Sequence, residues 1–255
     1  METPIANMPQ TFQMVSIFLW GAGVLAMAIY GIYIYKKEKT LYAIYALLGS
    51  MIAIPYEAFN NVLGHCLHPQ VGQITAVTAL DRPIPVWTML AYAGYFAIPV
   101  VLLIELMIKK GKFTPARWWS AFVIAIGGAC AVELVFVKLG VWFYYGDNQP
   151  VKLFGTVPIW WGFVNASSIL SVAVIVYCLH KFLLNKKTEW ILLPLFPMIV
   201  FVAHGSSSLP AWWAVTTSMN TVVTNIGALG SIIFAIMVVW IGIKVLEQTS
   251  KHVQS

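Results

Sequence analysis

Apolar positions run in long blocks along this chain, and polar positions are confined to short breaks between them. Seven blocks have the length of a membrane crossing, since a spanning helix needs roughly 20 mostly apolar residues. The pattern predicts helices over Gln13 to Tyr35, Thr40 to Gly64, Ile84 to Ile108, Arg117 to Val141, Thr156 to Leu179, Thr188 to Leu209 and Thr217 to Val245. No repeat and no long linker separates them. Residues 1–255 therefore read as a single transmembrane domain, an all-α bundle of seven helices.

Composition supports lipid rather than water as the solvent. Hydrophobic residues make up 60% of the chain and charged ones 9%, against about a quarter charged in a soluble domain. The net charge of +6 raises the question of nucleic acid, but the basic residues fall in short inter-helix breaks, where they act as topology signals. Lys36, Lys37, Lys39, Lys109, Lys110, Lys112, Arg117, Lys181, Lys186, Lys187, Lys244 and Lys251 all lie on one side, and only Arg82, Lys138 and Lys152 lie toward the other. The lysine-rich side is expected to be cytoplasmic, which places the N-terminus outside and the C-terminus inside. Glu2 is the only early charge, so no cleavable signal peptide is expected. Cys66, Cys130 and Cys178 contain no CxxC and give no disulfide framework.

Ionisable groups inside a span are costly and tend to face the bundle interior. Glu57 lies about 17 residues into the second helix, toward its outer end at ~1.5 Å per residue. Glu133, Asn165 and His204 sit at similar depth in the fourth, fifth and sixth helices, as do Asn220 and Asn225 in the seventh. Glu57, Asn60, Asn61, Gly64 and His65 share one helical face, and so do Trp161, Asn165 and Ser168. Thr217, Asn220, Thr221, Thr224 and Asn225 form a third polar stripe. Such stripes suit the walls of one polar cavity near the outer face.

Other signals divide between function and structure. His65, Cys66 and His68 invite a metal, but their spacing matches no strong zinc pattern, and no metal is expected. Asp147 is either an acid dipping in from its loop or a turn former. Asp81 and Arg82 form either an exposed pair or an orienting group for an acid. Lys138 is a possible partner for Glu133. Glu105 reads as structural, snorkelling toward the basic loop. The pairs Trp118-Trp119 and Trp212-Trp213 read as interface belts. Trp160, Trp161, Tyr144 and Tyr145 read as an aromatic lining able to stabilise a cation. Gly227, Ala228 and Gly230 suit close helix approach.

The ordered set Pro55-Tyr56-Glu57 with Asn60 and Asn61, Arg82-Pro83-Ile84-Pro85, Glu133, Tyr144-Tyr145-Gly146-x-Asn148-Gln149-Pro150 and Gly155-x-x-Pro158-x-Trp160-Trp161-x-x-x-Asn165 resembles the spirocyclase AveC-like membrane proteins. The resemblance covers Tyr56 to Asn165, less than half the chain. It implies acid-type cyclisation of a lipophilic polyketide. A weaker likeness joins the chain to the seven-helix terpene cyclases of fungal meroterpenoid pathways, and another to carotenoid hydratase-like enzymes.

These likenesses imply one chemistry, proton donation to a hydrophobic substrate followed by capture of a cation. We expect a multi-pass protein of a bacterial cytoplasmic membrane, a cofactor-independent cyclase, isomerase or hydratase. Its partners would be a lipophilic small molecule and membrane lipids. On this reading Glu57 is the acid and Glu133 or Asp147 the base. Asn60, Asn61, His65, Tyr144, Tyr145, Trp160, Trp161, Asn165, His204, Asn220 and Asn225 contact substrate. The rival class is a lipophilic-ligand binding or transport protein. A transporter would want polar groups along a whole pathway, whereas the inner halves of the second, fifth and sixth helices are nearly all apolar.

Overall fold

The computed structural model describes residues 4–251, and of Ser250 and Lys251 the backbone alone. Glu2 lies outside the described residues. Seven long apolar helices make up the body: α1 (Gln10–Glu38), α2 (Tyr42–Leu63), α3 (Val86–Ile108), α4 (Pro115–Lys138), α5 (Ile159–Leu183), α6 (Glu189–Thr217) and α7 (Thr221–Lys251). Each is long and apolar enough to cross a membrane. Burial sorts them: 72% of the apolar window of α5 is buried against 17% of that of α1. Thus α5 is the central post and α1 lies at the edge.

Several helix ends differ from the sequence expectation, each for a local reason. α1 runs on to Glu38 and stops where Lys39 turns left-handed (φ 58°) and donates its N–H to the Tyr35 carbonyl. α4 begins at Pro115, with Thr114 Oγ1 accepting the Arg117 N–H at 3.2 Å, an N-cap followed by Pro at the first helical position. α2 is broken by a 3-10 turn over Ile54–Tyr56, because Pro55 has no N–H to give the ladder. α3 carries π-turns over Ala93–Ala97 and Leu103–Ile108.

The largest difference is α6, expected to end at Leu209 but continuing through Pro210 to Thr217. α7 supplies what Pro210 disturbs: Ser231 Oγ accepts the Ala211 N–H at 3.0 Å. A Cβ on Gly227 would lie 2.6 Å from the Pro210 carbonyl oxygen, so α6 and α7 meet backbone to backbone there. Thr217 consequently belongs to the end of α6, its hydroxyl bonded to the Trp213 carbonyl at 2.6 Å.

At the lysine-rich end a polar cluster ties five helices. Glu105 accepts from Tyr42 and pairs with Lys109 at 2.6 Å, and Lys109 also meets Glu38 at 2.7 Å. Glu189 accepts from Thr40 and the Leu41 N–H, with His180 Nδ1 at 3.2 Å. Glu105 is therefore structural, as expected, but bonds sideways to α2 besides reaching toward the basic loop.

The opposite end carries β-structure that the apolar pattern does not predict. β1 (Cys66–Leu67) pairs with β4 (Phe143–Tyr144), β2 (Thr75–Ala79) with β3 (Arg82–Pro85), and β5 (Lys152–Leu153) with β6 (Val157–Pro158), all antiparallel. Leu80 and Asp81 have φ of 50° and 55°, the two left-handed positions of a tight hairpin turn, so Asp81 is a turn residue. The β1–β4 pairing sets Cys66 opposite Tyr144 and draws the loop after α2 onto the loop after α4.

Seven crossings would leave the chain ends on opposite sides of a membrane. Reporters fused to each end are expected to report opposite compartments, with the C-terminal one cytoplasmic. The same compartment from both would exclude a seven-span topology.

Candidate functional site

Glu57 heads the last two turns of α2, just after the Pro55 break, and is 5% exposed. Tyr92 on α3 donates to Glu57 Oε2 at 2.7 Å. Asn60 Nδ2 donates to the same oxygen at 3.0 Å, and Asn61 Nδ2 to Oε1 at 3.3 Å. His68 Nε2 lies 3.5 Å from Oε1. The spacing of Asn60 and Asn61 from Glu57 is one helical turn, so α2 itself supplies two of the donors.

Glu133 approaches from α4. Tyr144 donates to its Oε2 at 2.8 Å, and the indoles of Trp142 and Trp161 lie beside its carboxyl. The Tyr144 hydroxyl is pushed above its ordinary pKa by burial and by Glu133 beside it, so it remains a donor. Glu133 therefore meets the aromatic loop, and no ion pair with Lys138 is seen among the described residues.

A third group links α2, α5 and α6. Tyr56 Oη lies 2.7 Å from His204 Nδ1, and His204 Nε2 lies 2.9 Å from Asn165 Oδ1. With Nε2 carrying the hydrogen, both ring nitrogens of this buried histidine are satisfied. Asn165→Leu is expected to orphan Nε2 and lower stability by about 1–3 kcal/mol in thermal unfolding. An unchanged melting temperature would show that the bond carries no weight.

These groups face one cavity of about 710 Å³, its open mouth included. Glu57, Glu133, Asn60, Asn165, His204 and Trp161 all line it, bringing together residues of α2, α4, α5 and α6. Tyr56, His68, Trp87, Tyr92, Tyr95 and Trp142 complete much of the wall. Val132 lines the cavity and is 37% exposed. Phe136 of α4 also lines it, stacked on Trp87 of α3 at 5.0 Å and on Trp20 of α1 at 6.3 Å.

Other expected site residues lie elsewhere. Asn220 is exposed and caps the start of α7, accepting the Val222 N–H at 2.8 Å. Asn225 accepts the Val151 N–H at 2.9 Å and so ties the segment just before β5 to α7. Neither lines the cavity. Asp147 is exposed in its turn and does not dip inward. His65 stacks on Tyr145 at 5.2 Å and lies beside a second depression formed with Val215 to Met219. Tyr145 itself donates to the Asn61 carbonyl at 3.4 Å. Asn61, Tyr144 and Trp160 stand one layer behind the wall; Trp160 packs edge-on against Trp161 at 4.6 Å.

The belt pairs also divide: Trp213 is 63% exposed, whereas Trp212 and Trp118 are buried in the core. The metal candidates point apart. His65 faces Tyr145, His68 faces Glu57, and the Cys66 thiol, its pKa raised by burial and by Glu57, donates to the Asn60 carbonyl at 3.0 Å. Among the described residues no three His, Cys, Asp or Glu side chains gather to hold a metal ion.

The residues that sequence reasoning missed had a signal. Thr88, Ala91, Tyr92 and Tyr95 of α3 all line the cavity and are spaced as one helix face. Comparison with known proteins brought no match from family models, curated proteins or solved structures.

Proposed function

We propose that this protein is a membrane-embedded acid–base enzyme that cyclises or isomerises a lipophilic substrate through a cationic intermediate. The observation that carries the reading is the meeting of Glu57 and Glu133 on one cavity walled largely by aromatic side chains. Such a largely apolar, aromatic lining suits a lipophilic substrate. The resemblance to AveC-like spirocyclases is in keeping with it.

Hydrogen bonding favours a division of labour that reverses the sequence expectation. Glu57 sits among the donors Tyr92, Asn60 and Asn61, a surrounding that suits a proton acceptor. Glu133 has Tyr144 on one oxygen and aromatic rings around it, which suits a proton donor. On this reading Glu133 protonates a carbonyl, hydroxyl or alkene, and the substrate becomes an oxocarbenium ion or carbocation. Tyr56, Trp142 and Trp161 line the site, and ring faces turned to the charge would stabilise and shield it. Glu57 then takes the proton released as the ring closes, and His204, by holding Asn165 Oδ1, orients the Asn165 amide N–H toward the substrate's other end. General acid–base catalysis of this kind contributes about 10²–10⁴-fold.

The purified protein in lipid nanodiscs, supplied in D₂O with linear isoprenoid and polyketide ketones, is expected to release isomers of its substrate. Where an alkene is protonated the product gains one deuterium. Substrates returned unchanged across both classes would remove the enzyme reading and leave lipophilic-ligand binding.

A further inference from the structure

One wall of the cavity carries polar atoms that the acid–base chemistry does not use. The indole N–H of Trp20 on α1, the indole N–H of Trp87 and the hydroxyl of Tyr95 on α3 are each sealed from solvent and have no hydrogen-bond partner among the described residues. On the same lining, Asn60 Oδ1 and His68 Nδ1 are also unpartnered. Trp87, Asn60 and His68 are 5%, 5% and 1% exposed. Buried polar groups are nearly always bonded, so each exception calls for an explanation. With the indole N–H of Trp142, six such atoms belong to residues that line this cavity, and together they point to a ligand that satisfies them.

The positions are also enforced by packing. The Trp20 ring fills the space a Cβ on Gly94 would occupy, 2.5 Å from the nearest ring atom, so α1 and α3 are locked together with that indole at the wall. Trp87 is held between Phe136, stacked at 5.0 Å, and His68, edge-on at 5.1 Å. These side chains cannot rotate freely to find protein acceptors.

We propose that the α1–α3 wall is a hydrogen-bonding subsite for an oxygenated lipid, in which Trp20, Trp87 and Tyr95 donate to two or more ligand oxygens. The proposal rests on the cavity being a ligand site, as above, and narrows the ligand class. A pure hydrocarbon such as a polyene would leave three donors unsatisfied. A chain bearing spaced carbonyl, ether or hydroxyl oxygens would pair them, and a ligand hydroxyl could donate in turn to Asn60 Oδ1.

The test uses the full chain in nanodiscs and three probes of equal chain length: farnesene with no oxygen, farnesol with one, and a C15 dihydroxyketone. Uptake above that of empty nanodiscs gives the affinity. The dihydroxyketone is expected to bind tightest and farnesene weakest. Tyr95→Phe and Trp87→Phe are each expected to weaken the dihydroxyketone about 3–10-fold, one hydrogen bond's worth, and to leave farnesene unchanged. Tyr95→Phe should leave the melting temperature of the ligand-free protein unchanged or higher, because it removes a buried unpaired hydroxyl, whereas a structural hydroxyl would lower it. Equal binding of farnesene and the dihydroxyketone, no uptake of any probe, or full dihydroxyketone affinity in both variants would overturn the subsite. Oxygen-dependent binding that these variants weaken, without turnover of any substrate, would instead uphold the subsite and overturn the acid–base reading.

Discussion

Glu133→Gln is expected to lower turnover by on the order of 10²–10⁴-fold, returning substrate unchanged, because glutamine keeps the shape and can still accept from Tyr144 but delivers no carboxylic proton. Glu57→Gln is expected to fall by a similar factor for a different reason. Its donors Tyr92, Asn60 and Asn61 would still find an oxygen, but the group could no longer take a proton at the end of the reaction. The two variants should differ in product: a cation that is formed but not deprotonated in Glu57→Gln can be captured by water, giving hydrated material absent from Glu133→Gln. Asp147→Asn should be silent, since that side chain is exposed in a turn. The measurement is product yield and identity by mass spectrometry with each variant in nanodiscs. Full activity in both glutamine variants would exclude the pair.

The largest stability effect is expected at Gly227. A Cβ there would sit 2.4 Å from the Ala214 Cβ and 2.6 Å from the Pro210 carbonyl oxygen. Neither atom can swing aside, because one is fixed to the α6 backbone and the other is part of it. Gly227→Leu must separate α6 from α7 and disturb the Ser231 bond that satisfies the Ala211 N–H. We expect a loss of about 3 kcal/mol, a fall in Tm of roughly 6–12 °C, in thermal unfolding of the detergent-solubilised protein. Gly127→Ala is the control: a Cβ there meets nothing within 4 Å, and alanine favours the helix, so Tm should hold or rise. Equal behaviour of the two variants would deny the close α6–α7 contact.

The helices were legible because lipid demands long apolar blocks, and the seven blocks are the seven helices. Their ends were less so. Pro210 reads as a stop in a chain considered alone, but α7 supplies the Ser231 hydroxyl that lets α6 continue. The cavity was partly legible from the coincident depth of Glu57, Glu133, Asn165 and His204. Depth alone does not separate an inward-facing residue from a capping one, which is why Asn220 and Asn225 were assigned to the wall although they bond to backbone at the start of α7 and just before β5. His68 was hidden in a loop whose course depends on the pairing of Cys66 with Tyr144, a contact between distant segments. Tyr92 and Tyr95 share a helix face with Thr88 and Ala91, but in plain apolar sequence such a face reads equally well as lipid-facing.

The most direct test of the central claim is a structure of the Glu133→Gln protein in nanodiscs with the dihydroxyketone supplied in excess. The account predicts density for the probe in the cavity between α2, α3 and α4, its reacting carbon or oxygen within ~3.5 Å of residue 133 and its leaving proton within reach of Glu57. Probe density confined to the lipid-facing surface or to the depression beside His65, with the cavity closed around Phe136, would contradict it.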